Sequence, residues 1–282
     1  MDTVTNTTGA LLRSASARLQ SHTETPVLEA QVLMAHVLGK ERTWVMAHPE
    51  TELSPSVVRN YQQLVQRLLQ GEPLAYILQR REFFGLAFNV NPSVLIPRPE
   101  TEHLVERALA WLADHPACRR AVDVCCGSGC IAVTLAVKVP HLHLWATDIS
   151  GAALAVAQSN AKRHTVTEQI TFLQADLLTG VTTHFDLICA NPPYIPSADV
   201  PATGEPRLAL DGGADGMDVI CRLLEQAKSH LSSPGMLLME IEARQGKPVL
   251  ELARHIFPQA QITCHPDLAG WDRIIEINLA RF

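Results

Sequence analysis

No basic excess marks this chain: 23 Lys and Arg stand against 29 Asp and Glu, a formal net charge of −6. Residues 1–80 carry seven of each sign, so the surplus acid lies beyond residue 80. Proteins that grip naked nucleic acid usually carry a basic stripe, so the balance argues against DNA or RNA as a direct partner. Long apolar runs are missing as well. The longest, Cys130–Val137, is broken by Thr134 and is far too short to span a bilayer. The opening residues lack the basic-then-apolar pattern of a secretory leader. The seven cysteines are odd in number, and Cys125, Cys126 and Cys130 lack the paired CxxC spacing of a zinc site. No disulfide framework and no metal are expected. GxGxxG and a P-loop lysine are also absent, so no phosphate-binding element is indicated. These absences leave a soluble, cytoplasmic protein with reduced, buried thiols.

What is present is a large apolar fraction, 47% of 282 residues, enough for one large or two modest cores. Residues 1–72 read as a bundle of four or five helices. Apolar positions recur at helical spacing in GALLRSASARL, PVLEAQVLMAHVLG and PSVVRNYQQLVQRLL, with Pro26 and Pro55 at first-turn positions and Gly39 and Gly71 at helix ends. Residues 73–96 form a linker in which EFFGLAFNV reads as a hairpin around Gly85. Phe83, Phe84 and Phe88 are expected to pack in its core. From 97 to 282 strands and helices alternate, which predicts a parallel sheet with helices on both faces and a ligand site at the carboxyl ends of the strands. The fold class is therefore α/β, preceded by a small all-α domain.

Three successive strands end in carboxylates. Asp123 lies in the first, followed by the turn CCGSG. Asp148 ends the second, 19 residues beyond Gly129, and Asp176 ends the third. A glycine turn lets the backbone approach a ligand closely. Asp148 is placed to accept two ribose hydroxyls, and Asp176 the amino group of adenine. A nucleoside site without a phosphate cradle suits S-adenosyl-L-methionine.

The fourth strand, FDLICA, ends in Asn191-Pro192-Pro193-Tyr194. Two prolines cannot continue a ladder, so the chain makes a rigid polar corner there. A planar amide or exocyclic nitrogen has a delocalised lone pair and needs orientation more than a strong base. The Asn191 side-chain oxygen and the Pro192 carbonyl can each accept one N–H of such a group, while Tyr194 packs on its flat face.

On these residues the sequence resembles the N(5)-glutamine methyltransferases of peptide chain release factors (PrmC, also called HemK). The resemblance covers nearly the whole chain, including REFFGLAFNV, LIPRPETEHLVERAL, DVCCGSG, ANPPYIP, EPRLALDGGADGMD and DLAGWDRII. It implies a helical N-terminal domain, a hairpin linker and a Rossmann-like class I methyltransferase domain. It also implies methylation of the glutamine in the Gly-Gly-Gln loop of class I release factors by a cytoplasmic monomer. Carried over by motif, Asp123, Cys125, Gly127, Gly129, Asp148, Ile149, Asp176, Leu177 and Asn191 would hold the cofactor, with Arg98, Glu100 and Thr101 near its entrance. Asn191, Pro192, Pro193 and Tyr194 would hold the glutamine, and Asn191, Pro192 and Tyr194 would be catalytic. Two positions depart from the family pattern. Cys126 replaces a Thr and loses a hydroxyl, and Glu242 replaces a Gly and is expected to alter the wall of the cleft.

Two other readings differ in kind: N-methylation of another planar nitrogen (a ribosomal-protein glutamine, adenine or a small-molecule amide), and a nucleoside-binding partner protein without catalysis.

Overall fold

The computed structural model describes residues 6–201 and 204–280. The chain divides into two compact units, Met1–Gln79 and Arg80–Phe282.

In the first unit five helices occur among the described residues: α1 (Thr8–Leu19), α2 (Pro26–Leu38), α3 (Arg42–Ala47), α4 (Pro55–Leu69) and α5 (Leu74–Leu78). Pro26 and Pro55 each occupy the first turn, where the missing N–H has no intrahelical partner to lose. Leu19, Leu33, Met34, Tyr61 and Val65 form the centre of its core. The Tyr61 hydroxyl donates to the Ala30 carbonyl at 3.2 Å, which satisfies a polar group that burial would otherwise penalise.

The second unit opens with the hairpin β1 (Arg80–Phe83) and β2 (Leu86–Asn89). Phe83 and Phe88 are fully buried and meet edge to face at 6.0 Å, as the sequence suggests, whereas Phe84 is only partly buried. The hairpin is anchored within this unit. The Asn89 N–H donates to Asn160 Oδ1 at 2.7 Å, and Asn160 Nδ2 returns bonds to the carbonyls of Asn89 and Ser128.

Next come α6 (Pro99–Asp114), β3 (Arg120–Val124), α7 (Cys130–Lys138), β4 (His143–Asp148), α8 (Gly151–Arg163), β5 (Ile170–Gln174) and β6 (Phe185–Ala190). The chain continues with α9 (Asp218–His230), β7 (Leu231–Glu240), α10 (Gly246–Ile256), β8 (Gln261–Pro266) and β9 (Asp272–Leu279). The seven strands β3–β9 form one sheet in the order β5-β4-β3-β6-β7-β9-β8. Side chains alternate between two cores: Leu187, Cys189, Met236 and Leu238 face one, and Ile188, Ala190, Leu237 and Met239 the other. The first core also holds apolar residues of α6, α7 and α8, and the second those of α9 and α10.

The sheet is parallel through β3–β7 but not throughout, because β9 runs antiparallel to both β7 and β8. Only residues 267–271 join β8 to β9, and a parallel crossover needs a dozen residues or more. The order runs outward from β3 in one direction and from β6 in the other. Strand order therefore switches between these two neighbours, where Val124 lies opposite Ala190.

Candidate functional site

The switch point places Cys125 and Asn191 side by side at the carboxyl edge of the sheet. After β3 the chain turns sharply: Cys125, Gly127 and Gly129 have φ of 60°, 53° and 74°. Gly127 has open space where a side chain would project. A Cβ on Gly129 would lie 2.9 Å from the Cβ of Ala157, so this glycine lets α7 pack on α8. Asp123 is 1% exposed, and its Oδ2 accepts the Ala132 N–H at 3.0 Å. Burial pushes its carboxyl up to about 8. Its Oδ1 has no hydrogen-bond partner among the described residues.

Asp148, at the end of β4, accepts the Gly127 N–H through Oδ2 and the Ser150 N–H through Oδ1, both at 2.9 Å. Burial raises its pKa, and the two amides oppose that rise. Beyond β5, Asp176 pairs with Arg222 of α9. Leu177, next in the chain, is a second non-glycine residue at positive φ, 57°. Cys125 and Leu177 both line the same cavity, and strained backbone of this kind tends to cluster at ligand sites.

That cavity has a volume of about 330 Å3. Of the residues singled out in the sequence, Arg98, Thr101, Cys125, Gly127, Asp148, Ile149, Asp176, Leu177, Asn191 and Pro193 line it, and so does Cys126. Ile149 is 50% exposed at its wall. A smaller cavity of about 80 Å3 is lined by Tyr194, Asn191, Arg98, Leu95, Ile195 and Leu210, among others. Asn191 and Arg98 thus border both. Asp123, Glu100, Gly129 and Pro192 line neither.

The polar corner is held from several sides. Asn191 Nδ2 donates to Thr101 Oγ1 at 3.2 Å, Thr101 donates to Glu240 Oε2 at 2.6 Å, and Tyr194 donates to Glu240 Oε1 at 3.2 Å. Burial and the Glu240 charge raise the Tyr194 pKa, so its hydroxyl keeps its proton. Gln245 Nε2 donates to the carbonyls of Tyr194 and Gly216. The segment after the corner folds back on it. Ile195 donates to the Leu210 carbonyl at 2.9 Å and accepts from Gly212 at 2.8 Å. A Cβ at Gly216, φ 80°, would fall 2.3 Å from the Tyr194 carbonyl oxygen. Glu205 accepts the Ile96 N–H at 3.0 Å and pairs with Arg98, tying the IPRPE segment to the same loop.

Glu240, Leu95, Leu208 and Arg222 escaped the sequence reading. Glu240 did leave a signal, since it is a lone carboxylate inside the apolar run MLLMEI. Glu242 lines neither cavity. It caps the turn Ala243–Gln245, accepting the Arg244 N–H at 2.9 Å, so the expected change to the cleft wall is not found. Cys126 donates its backbone N–H to the Thr147 carbonyl at 2.9 Å.

Residues 10–78 match the PrmC N-terminal domain family, and residues 104–205 the methyltransferase small domain family. A release factor glutamine methyltransferase of Nitratidesulfovibrio vulgaris is 40% identical over 275 residues, covering 94% of this chain and 92% of that protein. One of Moorella thermoacetica is 41% identical over 256 residues, covering 89% and 90%. Among solved structures, a methyltransferase from Pyrococcus furiosus superposes with a TM-score of 0.52 at 17% identity, covering 76% of this chain and 97% of that one. The fold is that of a class I methyltransferase. Identity at this level over nine-tenths of both chains places the protein in the release factor glutamine methyltransferase family.

Proposed function

We propose that the protein methylates the side-chain amide nitrogen of the glutamine in the Gly-Gly-Gln loop of class I peptide chain release factors. The observation that carries this reading is the position of Asn191, bordering a cavity large enough for a cofactor and a second one of primary-amide size. The cofactor is S-adenosylmethionine. It supplies a methyl group on a positively charged sulfur.

The residues present fit that group. Asp148 keeps free lone pairs for ribose hydroxyls beside an open Gly127, Ile149 and Leu177 offer apolar walls, and no element for a phosphate is built among the described residues. Asn191 Oδ1 and the Pro192 carbonyl accept the two N–H groups of the substrate amide, which turns its nitrogen toward the larger cavity. The same acceptors stabilise the positive charge that grows on that nitrogen. Tyr194, held neutral against Glu240, packs on the flat amide. A methylated amide nitrogen bearing an extra proton is strongly acidic, so solvent water takes that proton and no dedicated side-chain base is needed. The substrate is a protein, and the acidic balance disfavours nucleic acid.

The test is methyl transfer from labelled S-adenosylmethionine, offered unmethylated release factors and nucleic acid in parallel, with the label mapped by mass spectrometry. Label on the loop glutamine is expected. Label elsewhere, or none while the cofactor binds, would overturn the proposal.

A further inference from the structure

The chemistry of Asn191 depends on which end of its amide faces the substrate. The oxygen and NH2 ends have nearly the same shape, so packing alone discriminates poorly between them. We propose that Glu240 is a positioning residue, which fixes the Asn191 amide through Thr101 so that its oxygen faces the cavity. The inference rests on the role given to Asn191 above.

Glu240 ends β7 beside the end of β6, where Met239 is registered against Ala190. It is 1% exposed, and Thr101 beside it is 2% exposed. An ionised carboxylate only accepts hydrogen bonds, and each oxygen here takes one hydroxyl: Thr101 on Oε2 at 2.6 Å and Tyr194 on Oε1 at 3.2 Å. Thr101 has a single hydroxyl proton, and it is committed to Glu240. Toward Asn191 it offers only lone pairs, so the group facing it must be a donor, and Nδ2 lies there at 3.2 Å. In the flipped amide two lone-pair-bearing oxygens would face each other, and the cavity would receive N–H groups. An incoming primary amide could not place its own N–H groups against those donors. The direction of one buried proton therefore decides what Asn191 presents.

The geometry shows Glu240 as an acceptor, because a hydroxyl donates to each of its two oxygens. Burial raises its pKa and the charge of Glu100 adds to that rise, while the two hydroxyls and the charge of Arg273 oppose it. Arg273 is itself fixed, donating to Asp267 and to the Ile241 carbonyl next to Glu240. Tyr194 hangs on the other carboxylate oxygen, so one group orients both polar side chains of the NPPY corner.

Three variants test this, with kcat, KM for an unmethylated release factor and cofactor affinity by calorimetry as readouts. Thr101→Val keeps the shape and deletes the hydroxyl; kcat should fall roughly ten- to hundredfold, as expected for a lost bond to a charged group. Cofactor affinity should stay within about twofold, and Thr101→Ser should recover most of the lost rate. In an Asn191→Ala background, Thr101→Val should have almost no further effect on kcat, because residues acting in series are not additive. Glu240→Gln, which faces one of the two hydroxyls with a donor, should lower kcat in the same way and serves if Thr101→Val fails to fold. Wild-type kcat in both variants overturns the inference, as does a serine no better than valine or full additivity with Asn191→Ala. Wild-type turnover in Asn191→Ala alone overturns instead the reading of Asn191, and the inference falls with it.

Discussion

The carboxylate of Asp148 accepts the backbone N–H of Gly127 at 2.9 Å, tying the end of β4 to the turn after β3. The bond pre-sets the floor of the larger cavity, which Asp148 lines, and leaves each of its oxygens a further lone pair. Asp148→Ala should weaken S-adenosylmethionine binding roughly ten- to hundredfold, with a smaller loss of turnover at saturating cofactor. Calorimetry checks this, and unchanged affinity would remove Asp148 from the binding site.

Asn191→Ala should show the opposite pattern. Removing one preorganised acceptor from a developing charge should lower kcat roughly a hundredfold. The dissociation constant of the cofactor should hardly change. Single-turnover methyl transfer separates the two effects, and a purely affinity-based defect would contradict the assignment.

Asp123 predicts a pH dependence of stability rather than of chemistry. Its folded pKa is pushed up to about 8, above the ordinary 3.8, by burial. Between those values the folded state holds a proton that the unfolded chain has released, so stability falls as pH rises from about 4 to about 8 and levels off above. Asp211 and Asp267, whose pKa values are lowered, act with the opposite sign at the acid end. The difference between the wild type and Asp123→Asn isolates the Asp123 contribution. Thermal melts across that range should show the variant gaining stability relative to wild type as pH increases. A constant difference would rule out a buried neutral carboxyl.

Two left-handed glycines give a matched comparison. Gly216 and Gly180 have φ of 80° and 79°, but only a Cβ at Gly216 would strike backbone, the Tyr194 carbonyl at 2.3 Å. Gly180→Ala should cost only the conformational penalty, about 1 kcal/mol. Gly216→Ala should cost that plus displacement of the polar corner, about 2–4 kcal/mol in all, and should lower kcat as well. Denaturant unfolding and steady-state rates on both variants decide it. Equal losses would mean that the corner is not supported from behind.

Much of this was legible in the chain. The helical periodicity at 26–38 and 55–69, the β/α alternation after 118, and the strand-end positions of Asp148 and Asn191 all appear in the structure. Local patterns record such features because a strand or helix places its own residues at a fixed period. What escaped was set by non-local pairing. β9 is antiparallel because the turn before it is short, a constraint that strand alternation does not encode. Thr101 reads as an entrance residue until Glu240, 139 positions away, is found to accept its hydroxyl hydrogen bond. Asp176 reads as an open acceptor until Arg222 closes on it from α9. Asp123 and Gly129 belong to a motif whose other members line the larger cavity; their own contacts are with α7 and α8.

The support behind Tyr194 bears on how this corner can be moved between proteins. Asn191–Tyr194 is four residues long, yet its shape is set by a second stretch: the turn at Gly212–Gly216 and the amide of Gln245. The motif is not a self-contained cassette. A transplant of residues 191–196 alone into a relative with a bulkier partner segment should arrive misshapen. Exchange of 191–218 together with Gln245 should carry the geometry across.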